Sequence, residues 1–136
     1  MPDATTDATW RRFFAGAALF NLIASLGPLF APAVALDLFG MTPLPDHLFV
    51  QLAGVLVLTY GLGYWMVSRN LEAREIVLLG IIGKCSVVVI IVWAWLHGRA
   101  GAAALAAGSG DLLFSIFFGV FLATRQPAAT KNNRFT

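Results

Sequence analysis

The chain has 136 residues, of which 59% are hydrophobic and only 12% are charged, with a formal net charge of +2. Soluble domains carry roughly 25% charged residues, so half that density excludes an ordinary water-exposed globular protein. The basic residues lie mostly at the ends of apolar runs, which is typical of membrane orientation and not of nucleic-acid binding. We therefore expect the lipid bilayer as a partner and no nucleic acid.

Four apolar runs are long enough to cross a bilayer as helices, since a span needs about 20 mostly apolar residues. They cover residues 13–30, 48–67, 76–96 and 102–124. The links between the later runs are short, which favours antiparallel neighbours and predicts an all-α, four-helix transmembrane bundle. We interpret residues 1–12 as an N-terminal tail and residues 125–136 as a disordered C-terminal tail.

The first run has an alternative interpretation as a secretory signal. "WRRFFAG" gives a basic start, an apolar stretch follows, and "APAVA" places small residues at a spacing typical of cleavage. The apolar run is long for a signal, so we expect it to be retained as the first span.

The segment after the first run predicts a short helix lying in the membrane interface. Pro28 and Pro32 disturb the end of the first helix, because proline has no amide hydrogen to donate. Residues 33–39 are then mostly apolar with a single charge, Asp37. Gly40 and a Thr-Pro-Leu-Pro turn end this segment, which we interpret as an interfacial helix.

The basic residues predict the orientation of the bundle. Seven fall on one side of the predicted membrane: Arg11, Arg12, Arg69, Arg74, Arg125, Lys131 and Arg134. Only Arg99 falls on the other side, and Lys84 lies inside the third run. The positive-inside rule therefore predicts that both termini are cytoplasmic.

Cysteine and histidine give no sign of a metal centre. Cys85 is the single cysteine, which excludes an internal disulfide, and its apolar surroundings favour a small buried side chain. His47 and His97 fall at the ends of apolar runs, and no motif for a hydrolase, a phosphate loop or haem is present. We therefore expect no metal, no cofactor and no catalytic residue, and we favour a non-enzymatic protein.

One cation and one anion fall inside the spans, Lys84 in the third and Asp111 in the fourth. At 1.5 Å per residue they lie about 12 Å and 20 Å from the cytoplasmic ends of their runs. An early end of the fourth helix, or the reach of the lysine stem, would bridge the difference. An isolated charge at mid-bilayer costs about 3 kcal/mol on insertion scales, and pairing removes most of that cost. We therefore predict a Lys84–Asp111 pair.

Two further polar residues fall at a similar depth in the other spans. Asn21 and Tyr60 lie roughly 10–12 Å from the cytoplasmic ends of their runs, by the same helical rise. Small residues stand beside all four, and small residues let membrane helices approach closely enough for polar groups to bond across them. The sequence thus predicts one polar layer of Asn21, Tyr60, Lys84 and Asp111.

The function of such a layer is open between two main hypotheses. Ionisable groups inside a membrane usually mark a binding site or a proton path. In the first hypothesis the layer binds or transports a small or amphipathic ligand. Lys84 would attract an anionic group, Asp111 would be its counter-ion and a candidate proton acceptor, and Asn21 and Tyr60 would donate or accept hydrogen bonds. An open cavity beside Lys84 would favour this hypothesis.

In the second hypothesis the protein is a non-catalytic accessory or scaffold subunit, whose charge pair fixes helix register. A dry, closely packed pair would favour it. In both cases we expect a homo-oligomer or a subunit of a larger membrane complex. A membrane isomerase using Asp111 for proton transfer is a third option, and no motif in the sequence favours it.

Short motifs across residues 11–124 carry a family resemblance. "NLIASLGPLFAP", "LFG" before a Pro-rich link, "GLGYW" and "GDLLF" resemble small four-span membrane proteins that are common in bacteria, and more distantly the DoxX-like family. That family includes subunits associated with membrane quinone-linked oxidoreductases. The resemblance implies a four-helix bundle in the bacterial inner membrane and an accessory role. It supplies no catalytic residues.

Overall fold

The computed structural model describes residues 4–125, which form five helices and no strand. The helices are α1 (Ala4–Phe30), α2 (Pro32–Leu38), α3 (Leu48–Arg69), α4 (Arg74–Leu96) and α5 (Ala102–Thr124). All but α2 are long and apolar enough to cross a membrane. The predicted all-α bundle of four spans, with a short helix after the first, is therefore confirmed.

The first helix is longer than its predicted span. It begins at Ala4, so residues 4–12, interpreted from sequence as a tail, are helical. Its 27 residues extend about 40 Å, more than the ~30 Å hydrocarbon core, because each residue adds 1.5 Å. Its polar first turns therefore project beyond the apolar surface. The tail predicted for residues 125–136 lies outside the described residues, except for Arg125.

Proline and glycine set the limits of α2. Ala31 leaves the helical conformation with φ −139°, and Pro32 occupies the first helical position, where its missing amide hydrogen is not needed. Gly40 has φ +61°, in the left-handed region that glycine adopts without strain, and it reverses the chain after α2. The backbone N–H of Gly101 donates to the carbonyl of Phe39 at 2.8 Å. This bond ties α2 to the link between α4 and α5.

The four long helices pack as two close pairs, α1 with α3 and α4 with α5. Glycine permits the α1–α3 approach. A Cβ atom at Gly54 would lie 2.9 Å from Cγ of Leu29, and one at Gly61 would lie 3.2 Å from Cβ of Asn21. The first contact is shorter than real Cβ atoms show and the second is tighter than most, so these two glycines permit the close approach of the helices.

Aromatic rings fill the space between the two pairs at one end of the bundle. Phe14 stacks on Phe118 with ring centroids 5.2 Å apart, and Tyr64 meets Phe118 edge-on at 4.9 Å. These three side chains and Phe121 are fully buried. We call this end, which also carries Arg11, Arg74 and Arg125, the arginine-rich end, and the opposite one the α2 end.

Arginine side chains cap helices at the arginine-rich end. Arg11 donates to the carbonyls of the last two residues of α3, at 3.0 and 2.7 Å. Arg74 donates to the carbonyl of Leu122 at 2.8 Å and also to that of Arg125. Carbonyls in the last turn of a helix have no partner within the helix and carry the negative end of its dipole. The arginines therefore hold the ends of α3 and α5.

Arg125 also joins three parts of the chain through charge. Its guanidinium lies 3.1 Å from a carboxylate oxygen of Asp7 in α1 and 3.3 Å from one of Glu72, between α3 and α4. The arginine side chain is largely buried, whereas Glu72 is about half exposed. The start of α1, the α3–α4 link and the end of α5 thus meet at one point.

The outer surface of the bundle is apolar. Large side chains such as Ile23, Phe49, Val89, Ile90 and Leu113 are exposed along the four long helices. A monomer in water rarely exposes apolar surface on this scale, whereas lipid tails solvate it readily. The described part of the chain therefore has the build of a small integral membrane protein whose outer faces contact lipid.

Candidate functional site

Lys84 lies at the centre of the bundle, and only 7% of its side chain is exposed. It shares a helix face with Gly80 and Val77, which precede it by four and seven residues and are also buried. Beyond its first turn, which carries Arg74 and Glu75, the rest of α4 is almost entirely apolar. The lysine therefore faces the other helices, and lipid contacts the opposite side of α4.

Lys84 and Asp111 form a hydrogen-bonded ion pair between α4 and α5. The pairing predicted from the sequence is present. α5 reaches Thr124, so an early end of this helix does not bring the charges together. α4 instead begins at Arg74, two residues before the predicted start, which adds about 3 Å to the height of Lys84. The lysine stem covers the remaining difference.

Asn21 connects this pair to the other two spans. Its side-chain oxygen accepts a hydrogen bond from Nζ of Lys84 at 3.2 Å. Its side-chain nitrogen donates to the carbonyl of Val57 on α3 at 3.4 Å. A single buried amide thus bonds to α3 and α4 from its position on α1. A buried ammonium group is costly unless its donors are satisfied, and Asn21 supplies the second acceptor.

Three aromatic rings surround the ammonium group of Lys84. Its Nζ lies 5.8 Å from the ring centroid of Phe20, 5.6 Å from that of Tyr64 and 5.4 Å from that of Phe114. A cation within about 6 Å of an aromatic face is attracted by the ring quadrupole, more strongly where water is excluded. The rings stabilise the charge and close the lysine off from lipid.

Tyr60 lies beside the layer, without a described hydrogen bond to it. Its hydroxyl packs against α4 next to the lysine, since a Cβ atom at Gly83 would lie 2.9 Å from the Tyr60 oxygen. The structure thus brings Asn21, Lys84 and Asp111 together by hydrogen bonds. It places the hydroxyl of Tyr60 against Gly83, the residue that precedes Lys84. That these four residues bind a ligand stays a prediction.

Tyr64 belongs to the layer, although sequence reasoning missed it. It is fully buried, its ring faces Lys84, and its hydroxyl has no hydrogen-bond partner among the described residues. A signal was available in the helix spacing. Tyr64 follows Tyr60 by four residues, so the two share one face of α3.

The two charges of the pair differ in exposure. The side chain of Asp111 is 20% exposed, against 7% for Lys84. The buried residues Gly108 and Ser115 lie on the same side of α5 as Asp111, so most of that face packs against the bundle. The lysine matches the closely packed pair expected of a scaffold, whereas the carboxylate is less completely enclosed.

Packing changes from one side of the layer to the other. Towards the arginine-rich end, the residues within two turns of Asn21 and Asp111 include the large rings of Phe14, Phe114 and Phe118. Towards the α2 end, the residues one turn away are small: Ala24, Ser25, Ala107 and Gly108. Of these, Ala24 is exposed and Ala107 half-buried. Large rings therefore close the layer towards the arginine-rich end, and on the other side the side chain of Ile91 packs against Gly108.

Neither a metal site nor a similarity to known proteins indicates what the polar layer does. Residues 4–125 contain no group of three or more His, Cys, Asp or Glu side chains placed to hold a metal ion, and Cys85 is half-buried. No family model, curated protein or solved structure matches the chain. Its function must therefore be argued from the polar layer itself.

Proposed function

We propose that this protein is a small integral membrane protein that binds or transports a small or amphipathic ligand at its central polar layer. The partly exposed carboxylate of Asp111 carries the proposal. A charged group in mid-membrane is costly, and a purely structural pair would gain stability from complete enclosure. The unpartnered hydroxyl of Tyr64 adds support, because buried polar groups normally find a partner.

The ligand would enter from the α2 end. Buried aromatic rings close the opposite direction, and the residues one turn from Asp111 on this side, Ala107 and Gly108, are small. An amphipathic molecule would place its polar group at Asp111 and its apolar part against the surrounding helices. Hydrogen bonds inside a membrane site give orientation, while apolar contact gives most of the affinity.

Native mass spectrometry of protein released from mild detergent tests this proposal. We expect a small molecule to be retained by the wild type and lost from Asp111→Asn. Asp37→Asn is the matched control, because it removes a carboxylate from the exposed surface of α2 and should keep the ligand. Protein that carries no small molecule from any membrane extract would contradict the proposal.

The near-complete burial of Lys84 favours a second candidate, an accessory or scaffold subunit. In that role the hydrogen bond from Lys84 to Asn21 joins the two helix pairs, and an outer face contacts another membrane protein or a second copy. The exposed small residues Ala102, Ala106 and Ser109 would permit close helix contact on α5. The resemblance to the DoxX-like family favours the same role, in a quinone-linked complex. The mass measurement separates the candidates, because it also reports the oligomeric state.

The resemblance favours a bacterial inner membrane, and the charges favour an orientation with both termini in the cytoplasm. Arg11, Arg69, Arg74 and Arg125 all lie at the arginine-rich end, while Arg99 lies at the α2 end. Green fluorescent protein fused to the C-terminus should fluoresce, since it does so only in the cytoplasm, and alkaline phosphatase fused after Gly98 should be active. The reverse pattern would contradict this orientation.

A further inference from the structure

We propose that the ligand of the polar layer carries an organic ammonium group, and that Lys84 is a tethered competitor for the same carboxylate. This inference rests on the proposed ligand-binding function and names the chemical class of the ligand. It also reverses the role that the sequence suggested for Lys84, which was to attract an anion.

The contacts of Lys84 show what the layer is built to hold. An ammonium group lies there against the carboxylate of Asp111, the amide oxygen of Asn21 and three aromatic rings at 5.4–5.8 Å. A carboxylate together with aromatic faces is the usual set of groups that recognises ligand ammonium ions. The side chain of Lys84 occupies this site from within the protein.

Access to the pair favours a cation over an anion. The carboxylate is 20% exposed and the ammonium-bearing side chain only 7%, so an entering group meets negative charge first. Phe20 is 39% exposed, its ring faces Gly110, the residue before Asp111, and its centroid lies 5.2 Å from that of Phe114. An anion would have to pass Asp111 and displace these rings to reach Lys84, whereas a cation finds the carboxylate and an aromatic face already presented.

Lys84 can move away from the carboxylate of Asp111 and still keep a hydrogen-bond partner. Its four-carbon stem is flexible, so the ammonium can move away from Asp111 while keeping the amide oxygen of Asn21. The ligand ammonium then takes the position against Asp111, beside the contacting rings of Phe20 and Phe114. Removing the lysine should therefore strengthen ligand binding, whereas it should abolish binding if Lys84 itself were the recognition group.

A pair of aromatic probes of opposite charge tests the inference on the full chain in phosphatidylcholine nanodiscs. Benzyltrimethylammonium and benzylsulfonate are similar in size, and saturation-transfer NMR titrations report the binding of each. We expect saturable binding of the ammonium probe alone. Asp111→Asn should weaken it by roughly tenfold or more, the usual effect of losing a charged partner. Asp37→Asn, which removes an exposed carboxylate, should leave it unchanged.

The direction in which Lys84→Met changes the affinity for the ammonium probe decides the inference. We expect this variant to bind the probe more tightly than the wild type. If this variant fails to fold, Phe20→Leu replaces it, and we expect about threefold weaker binding of the ammonium probe, because one cation–π contact is lost. Binding of the sulfonate probe that disappears in Lys84→Met would overturn the inference and leave the proposed ligand-binding function standing. Binding of neither probe would also overturn it, and native mass spectrometry would then decide the proposed function separately.

Discussion

Nζ of Lys84 lies 3.2 Å from the side-chain oxygen of Asn21, although the two residues are 63 positions apart in the sequence. This bond joins the α1–α3 pair to the α4–α5 pair near the middle of the bundle. Asp111 on α5 accepts a second hydrogen bond from Lys84, and the carbonyl of Val57 on α3 accepts one from Asn21. All four spans therefore contribute an atom to one hydrogen-bonded group, which fixes their heights relative to one another.

The first prediction concerns the energetic coupling of the charge pair. Asp111→Asn and Lys84→Met should each lower the free energy of unfolding by about 3–5 kcal/mol, because each leaves an unpaired charge in the bundle. The double variant should recover most of that loss, since no charge is then left buried. Reversible unfolding in mixed detergent micelles measures all four proteins.

Glu75→Gln is the matched control for this cycle, because it removes an exposed carboxylate in the first turn of α4. Its effect should stay within about 0.5 kcal/mol, as for most surface substitutions. Additive losses in the double variant would show that the two charges do not stabilise each other and would contradict the prediction.

The spans and the charge pair could be predicted from the sequence, because a charge inside a long apolar run needs a partner of opposite charge within the membrane. Lys84 and Asp111 are the only two of this kind, and helical rise brought them to comparable depth. Helical rise predicts Tyr60 for the layer, because Tyr60 lies nearer the depth of the pair. Tyr64 lies one turn away on the same face of α3, and its ring centroid is 5.6 Å from Nζ of Lys84, a reach that depth alone does not report.

Tertiary contacts explain what the sequence could not give. α1 begins nine residues before the predicted span because its first turns are held from outside, by Asp7 contacting Arg125 and by Arg11 contacting the end of α3. Hydropathy does not register such contacts, since the residues involved are polar. The difference in exposure between Lys84 and Asp111 likewise depends on where the rings of Phe20 and Phe114 lie. Hydrophobic periodicity in a single sequence does not give the positions of those rings.

A second prediction concerns the unpartnered hydroxyl of Tyr64. Tyr64→Phe should leave the stability unchanged or raise it by about 1 kcal/mol, because it removes a buried polar group that has no described partner. Tyr60→Phe, whose hydroxyl lies against Gly83 outside the hydrogen-bonded group, is the control and should change little. Thermal unfolding of ligand-free protein in mild detergent compares them. A loss above about 1 kcal/mol in Tyr64→Phe alone would mean that the hydroxyl is bonded after all.

A third prediction uses two glycines that differ in their surroundings. A Cβ atom at Gly80 would lie 2.8 Å from the Tyr64 ring and hydroxyl and 3.0 Å from Phe118, both fully buried and unable to move aside. Gly80→Ala should therefore destabilise the protein by about 1–3 kcal/mol, the usual cost of overpacking. At Gly119 nothing lies within 4 Å, so Gly119→Ala should be neutral or stabilising by up to about 1 kcal/mol. Equal effects of the two substitutions in detergent unfolding would contradict the packing around Gly80.

The fourth prediction separates two roles of the basic residues, setting orientation and capping helices. Arg74→Ala removes the donors to the carbonyl of Leu122, in the last turn of α5, and to that of Arg125, which follows the helix. It should cost about 1–2 kcal/mol, as for hydrogen bonds made by a charged group. Arg12→Ala removes the same charge from the same end, but Arg12 is exposed, so it should cost far less. Hydrogen exchange followed by mass spectrometry should show faster exchange in the last turn of α5 for Arg74→Ala only. Matching exchange in both variants would mean that Arg74 acts through its charge alone, and the cap would then contribute nothing to holding α5 against the rest of the bundle.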